Sequence, residues 1–207
     1  CARASVAVAL GHPVSAIEHG DGRFRIVLNG QEWSAPALVL ATGGPSIPKL
    51  GATGFAYDVA RRLGLAVAHP RPALVPFTLG AADALFRSLS GVSAEVEVWW
   101  NKTSFREAAL FTHRGLSGPA MLQISSYWQH RTSINVNFLP DQEPDWLIRL
   151  KQSHPRMSLK RALSALCPAR LAEALVERLM MDGADLVSMP DKTLRLAQSR
   201  LERPRVD

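Results

Sequence analysis

Cysteine is almost missing from this chain: its 207 residues include two, Cys1 and Cys167. A pair so widely separated supplies neither a disulfide framework nor a CxxC or Cys/His metal spacing, so no metal is expected and a reducing cytoplasm is the expected home. Long hydrophobic runs are missing too. No stretch approaches the roughly 18 apolar residues of a membrane span, and no charged leader with an apolar core is recognisable, so no membrane partner is expected. Aromatic residues are sparse at 7%. The densest basic patch, Arg195, Arg200, Arg203 and Arg205, is interrupted by Glu202 and has no aromatics interleaved to stack bases. The net charge of +6, from 24 Lys and Arg against 18 Asp and Glu, therefore reads as a solvated basic surface, and no nucleic-acid partner is expected. Two motifs are lacking as well. There is no Gly-x-Ser-x-Gly elbow, which removes one route to a hydrolase. There is no Gly-x-Gly-x-x-Gly turn to hold a pyrophosphate at a helix N-terminus. Repeats and low-complexity tracts are also missing.

What remains is the composition of a globular protein, 47% hydrophobic and 20% charged, long enough for one or two domains with a real core. The chain is organised around Ala37-Leu38-Val39-Leu40-Ala41-Thr42-Gly43-Gly44. Five small or apolar residues without polar alternation predict a strand buried on both faces, of the kind found in largely parallel sheets. It stops on a glycine pair, which serves either as a plain turn or as a place for a ligand to approach the backbone closely. Ahead of it, residues 6–10 form a short apolar run with strand character. Residues 14–19, 23–28 and 31–35 then predict an antiparallel meander, with Asn29-Gly30 as the hairpin turn. After it, Phe55, Val59 and Leu63 share one helical face, with Thr53 as N-cap and Gly64 as the terminating glycine. The glycine-flanked start of that helix suits an anion, and ordinary capping explains the same residues. Residues 65–68 predict another short strand.

Pro70, Pro72 and Pro76 mark a stiff boundary. Beyond it, residues 92–100 alternate as a half-buried strand, with Val92, Ala94, Val96, Val98 and Trp100 inward. Residues 108–112 and 133–139 predict two more strands, the latter with Ile134, Val136 and Phe138 inward. Between them lies Phe111-Thr112-His113-Arg114-Gly115-Leu116-Ser117-Gly118-Pro119, kept largely out of regular structure by its glycines and proline. Thr112, His113 and Ser117 are its hydrogen-bonding or proton-carrying candidates. No Asp or Glu stands within the loop to complete a triad. Residues 120–127 fit a helix or a strand equally. The last third predicts three short amphipathic helices carrying Leu159, Ala162, Leu163 and Leu166, then Leu171, Leu175 and Leu179, then Leu194, Ala197 and Leu201. Pro168 and Pro190 suit the first turns of the second and third. The chain starts on Cys and ends on Arg-Pro-Arg-Val-Asp after a helix, without a closing element, as the interior of a longer protein would.

The segments Leu38-Val39-Leu40-Ala41-Thr42-Gly43-Gly44-Pro45-Ser46, Leu50-Gly51-Ala52-Thr53-Gly54, Ala73-Leu74-Val75-Pro76-Phe77, Leu110 through Pro119, and Leu122-Gln123-Ile124-Ser125-Ser126-Tyr127-Trp128 follow one another in a telling order. Together they resemble the YhiN/BaiN-like bacterial flavoproteins, also described as aminoacetone-oxidase-like FAD-binding enzymes, with a weaker match at His154-Pro155 and Ser158-Leu159-Lys160. The resemblance implies an α/β plus β architecture. Residues 1–75 would be the second half of a Rossmann-like FAD-binding domain, with the buried parallel strand and the antiparallel meander. Residues 76–207 would be an insert domain, a small β-barrel over about 76–140 and a helical part over about 145–203. It implies FAD contacts at Val14, Thr42, Gly43 and Gly44, and at Gly51, Thr53 and Gly54, and a flavin or substrate cleft faced by Thr112, His113 and Ser117. The implied activity of the full protein is FAD-dependent transfer of hydride or electrons to or from a small organic substrate, with NAD(P)H as a candidate reductant. Amine oxidation and double-bond reduction both stay open, and no catalytic base is assigned. Without the N-terminal dinucleotide motif and a C-terminal flavin-contacting segment, the piece is expected to be inactive alone. The alternative is a non-enzymatic basic interaction module derived from a flavoprotein.

Overall fold

The computed structural model describes residues 2–181, 183, 185–202 and 205–206. Cys1 and Arg203, which entered the cysteine count and the basic patch, lie outside the described residues. The chain divides into two units, Cys1–Arg71 and Pro72–Asp207.

The first unit is built on the predicted meander. Strands β1 (Val14–Gly20), β2 (Arg23–Leu28) and β3 (Gln31–Ala35) lie in that order, all antiparallel. Leu28 pairs with Gln31 across Asn29 (φ 48°) and Gly30 (φ 77°), the left-handed pair that a two-residue hairpin turn demands. Helix α1 (Phe55–Arg62) follows, burying Val59 and ending before Gly64, whose φ of 79° reverses the chain. Three expected strands are not formed. Residues 6–10, 37–41 and 65–68 lie outside any strand, and Val39 is 85% exposed. A strand persists only where neighbours take up its N–H and C=O groups. The described three-stranded sheet ends at β3, so the apolar run at 37–41 has no partner strand.

The second unit opens with β4 (Phe77–Thr78) and a 3-10 helix over Ala81–Leu89. There follow β5 (Ser93–Trp100), β6 (Thr103–Phe111), β7 (Gly115–Ser117), α2 (Pro119–Ser125) and β8 (Ile134–Asn137). Helices α3 (Trp146–Ser153), α4 (Leu159–Ser164), α5 (Ala169–Leu179) and α6 (Asp191–Glu202) come next, and β9 (Arg205–Val206) closes the series. The six strands form one antiparallel sheet in the order β4-β7-β6-β5-β8-β9. It curls into an incomplete barrel whose two edge strands line a common cavity. The mixed α/β content and barrel character match the sequence reading. Residues 120–127, undecided between helix and strand, are mainly helix α2, which lies against β5, β6 and β7. Residues 205–206, where the sequence predicts no element, form strand β9, with Val206 paired to Ile134.

The alternation of β5 buries Ala94, Val96 and Val98, and β8 buries Ile134 and Val136. At the centre the rings of Phe86, Phe111 and Phe138 meet with centroids 5.4–6.1 Å apart, within the range of favourable aromatic pairs. Beside them the almost fully buried Asp83 forms an ion pair of 2.8 Å with Arg178 of α5, whose guanidinium lies 5.1 Å from the Phe86 ring. The helical stripes are core as read: Leu159, Ala162 and Leu163, then Leu171, Leu175 and Leu179, then Leu194, Ala197 and Leu201 are buried. Leu166 is the exception, 40% exposed beyond the end of α4. Ser158 caps α4 by accepting the Arg161 N–H at 3.3 Å. Among the described residues no helix is long and apolar enough to cross a membrane.

Candidate functional site

The Thr112–Pro119 string is a corner of the barrel. Strand β6 ends at Phe111 and β7 returns at Gly115, so Thr112, His113 and Arg114 form the turn between them. Thr112 closes that turn. Its N–H donates to the Gly115 carbonyl at 2.7 Å, and its Oγ1 accepts the Gly115 N–H at 3.0 Å and the Arg114 N–H at 3.3 Å. Its hydroxyl is therefore committed to the backbone. His113 and Arg114 stand exposed at the tip. Ser117 is half-buried in β7 opposite Leu110. The expectation that glycines keep this loop irregular is corrected at 115–117, which is strand. Gly115 is there because a Cβ would lie 2.1 Å from the Phe77 carbonyl oxygen of β4. Gly118 (φ 92°) is there because a Cβ would lie 2.8 Å from the Ala108 carbonyl oxygen. Close strand approach thus accounts for both glycines. The three candidates of this string share one corner, two in its turn and one on the returning strand.

The remaining candidates belong to the first unit. Val14 starts β1 and is partly exposed. Thr42 and Gly43 are exposed, and Gly43 (φ 70°) has nothing within 4 Å of where a Cβ would stand. Gly44 lies against Tyr57 in the first turn of α1, 3.1 Å from its hydroxyl to the missing Cβ. Gly51 (φ 85°) ends the short 3-10 helix Pro48–Leu50, donating its N–H to the Pro48 carbonyl. Gly54 is the N-cap of α1, while Thr53 Oγ1 accepts the Phe55 N–H at 3.4 Å. The structure thus brings Gly44, Thr53 and Gly54 together around the first turn of α1. The expectation of Thr53 as N-cap is corrected: Gly54 takes that position, and Thr53, one residue earlier, meets only the Phe55 N–H.

A feature that sequence reasoning missed lies at the seam of the barrel. A cavity of about 210 Å³ separates the two edge strands, with Phe77 and Thr78 of β4 on one side and Ile134 and Val206 on the other. Trp128 and His130, from the link between α2 and β8, complete its wall. The Trp128 ring stands at 79° to Phe77 and 88° to His130, with centroids 5.2 and 5.8 Å away. The signal in the sequence is Tyr127-Trp128-Gln129-His130-Arg131, an aromatic and basic run in a link. Cys167 is no competing nucleophile, since burial pushes its thiol up to about 11. Among the described residues no group of three or more His, Cys, Asp or Glu is placed to hold a metal ion.

Comparison with known proteins gives the geometry its context. Residues 71–203 match the family described as HI0933-like protein barrel and H2TH domain, a span that holds strands β4 to β8 and helices α2 to α6. A ribosomal RNA dihydrouridine synthase of Haemophilus influenzae is 41% identical over 184 residues, 86% of this chain and 46% of that protein. The protein of the same name in Escherichia coli is 42% identical over 199 residues, 94% and 48% of the two chains. A 3-dehydro-bile acid delta(4,6)-reductase of Clostridium scindens is 27% identical over 190 residues, 84% and 46%. The chain spans about half the length of the curated relatives it matches.

Proposed function

Since this chain belongs to the HI0933-like family, we propose that the whole protein is a flavin-dependent oxidoreductase that reduces a uridine of ribosomal RNA. The observation that carries the reading is the 41% and 42% identity to two proteins named ribosomal RNA dihydrouridine synthase. Dihydrouridine is uridine with its ring double bond reduced. The more distant relative is named a reductase, so the addition of hydrogen to a ring compound is what the names share. This reading places nucleic acid among the partners, against the expectation drawn from the basic tail.

Bound FAD would supply the hydride chemistry. Gly43 and Gly44 would let it pass close to the backbone, and Thr53 and Gly54 would present the first turn of α1. In the second unit, His113 and Arg114 are the groups free to meet a substrate, since the Thr112 hydroxyl is committed to its turn. Ser117 offers a hydroxyl in β7. NAD(P)H is the proposed reductant.

The test compares ribosomal RNA from cells with and without the gene, digested to nucleosides and read by mass spectrometry. Loss of dihydrouridine without the gene, restored by a plasmid copy, is the expected result. Unchanged dihydrouridine content would sink the reading. Purified whole protein should carry a visible flavin band that bleaches with NAD(P)H.

A further inference from the structure

The seam of the barrel has a size, a chemistry and a charge that the proposed function has not used. Its volume of about 210 Å³ falls below the roughly 300–1,000 Å³ of ordinary ligand clefts. A single small ring system fits such a space, whereas a tricyclic flavin with its tail does not. Phe77, Trp128 and Ile134 supply apolar wall, while Thr78, His130 and Thr132 supply polar atoms. A few polar groups in an apolar slot is how proteins orient a heterocycle.

The Trp128 ring is held in place before anything binds. Its indole N–H donates to the Thr132 carbonyl at 2.6 Å. The Thr132 hydroxyl in turn donates to the Gln129 carbonyl at 2.6 Å and accepts the Trp100 indole N–H at 2.9 Å. An aromatic platform fixed in this way loses little entropy on stacking. Arg131 lies in sequence between the two wall residues His130 and Thr132, is not itself part of the wall, and is exposed. No ion pair to Arg131 is found among the described residues. An exposed cation one residue along the chain from an aromatic slot is within a side chain's reach of its mouth, and that pairing is complementary to a nucleotide, whose base stacks and whose phosphate is charged. A purely apolar ring would gain nothing from it.

We propose that this seam seats one unpaired nucleotide of the RNA substrate, its base against Trp128 and its phosphate at Arg131. The proposal rests on the ribosomal RNA reading above and adds where the RNA is gripped. Single-stranded nucleotides are the form whose bases are free to enter such a slot.

The experiment measures binding of a fluorescently labelled, uridine-rich single-stranded RNA oligonucleotide to the flavin-loaded whole protein across a salt series. Trp128→Ala should weaken binding roughly 5- to 150-fold, the range for removing one stacked base. Trp128→Phe should retain most of the affinity, since a π face remains. Arg131→Ala should lower the salt slope by about one phosphate contact. Arg131 is exposed, so this variant keeps the test decisive even if Trp128→Ala fails to fold. Unchanged salt slope in Arg131→Ala, or unchanged affinity in a folded Trp128→Ala, would overturn the seam as the seat and leave the ribosomal RNA reading standing. A wild-type protein that binds no RNA would overturn both together, a different pattern. Displacement of the RNA by free UMP at equal concentration would overturn the assignment to an RNA chain.

Discussion

Replacing Gly115 with alanine asks whether the most distinctive string of this chain is architecture or chemistry. A Cβ there would sit 2.1 Å from the Phe77 carbonyl oxygen and 2.9 Å from the Leu79 nitrogen. The shorter approach falls about 1.3 Å inside ordinary contact, and both atoms belong to backbone that no rotamer change relieves. Strand β4 must therefore move off β7. That displaces the pairing of Phe77 with Leu116 and of Thr78 with Gly115, and the bond from the Leu79 N–H to the Arg114 carbonyl at 3.2 Å. Two or three backbone bonds at about 1 kcal/mol each, with some repacking of the buried Leu79 and Leu116, give a loss of about 3 kcal/mol. In a domain of this size that lowers the melting temperature by about 6–12 °C. Gly91→Ala is the control. Gly91 also has a left-handed φ of 88°, yet nothing lies within 4 Å of its absent Cβ, so only backbone strain of about 1 kcal/mol applies. Thermal unfolding followed by far-ultraviolet circular dichroism measures both. If Gly115→Ala loses no more than Gly91→Ala, the close-approach argument is refuted, and the glycine must serve something outside the fold.

Asp83→Ala should cost about 2–3 kcal/mol in chemical denaturation, below the 3–5 of a fully buried pair because Arg178 keeps partial access to water; replacing both partners should cost less than Asp83→Ala alone. Cys167, with its thiol pushed up to about 11 by burial, should resist thiol reagents near neutral pH until the protein unfolds. The unfolded thiol gives up its proton first, so the Cys167 contribution to stability should fall as pH rises from about 9 to about 11. That slope should be missing in Cys167→Ala. In the whole protein, His113→Ala should lower turnover, by about a hundredfold if the imidazole moves a proton, without releasing flavin; unchanged turnover removes His113 from the substrate cleft.

The sequence was most readable where structure is local. Asn29-Gly30 named its own turn, the alternation of residues 92–100 named its buried face, and Leu171, Leu175 and Leu179 named the inner stripe of α5. What escaped depends on partners far along the chain. The run at 37–41 has strand composition but no neighbour to pair with, so pattern alone misled. Helix α2 buries Ala120, Met121 and Ile124, and a run that is apolar on most sides carries no period to choose helix over strand. Phe86 lies in a 3-10 helix that no periodic pattern announced, yet it anchors the aromatic centre. At the candidate site, Thr112, His113 and Ser117 were found as residue types, while the commitment of the Thr112 hydroxyl to its turn became visible only in three dimensions. The same holds for Gly115 and Gly118, because the carbonyls they accommodate come from other strands. The seam went unseen because its walls are drawn from three separate stretches of chain.

The edge strand β4 of the six-stranded sheet is only two residues long. An edge strand with a long row of unpaired groups templates the addition of another chain, and many sheets end in ways that prevent this. At β4 brevity does the work, and Pro76 reinforces it. Standing immediately before β4 without an N–H, it cannot donate to a ladder extended in that direction. On the β4 side of the seam the sheet thus offers little edge for another chain to extend, so the gap there does not invite polymerisation.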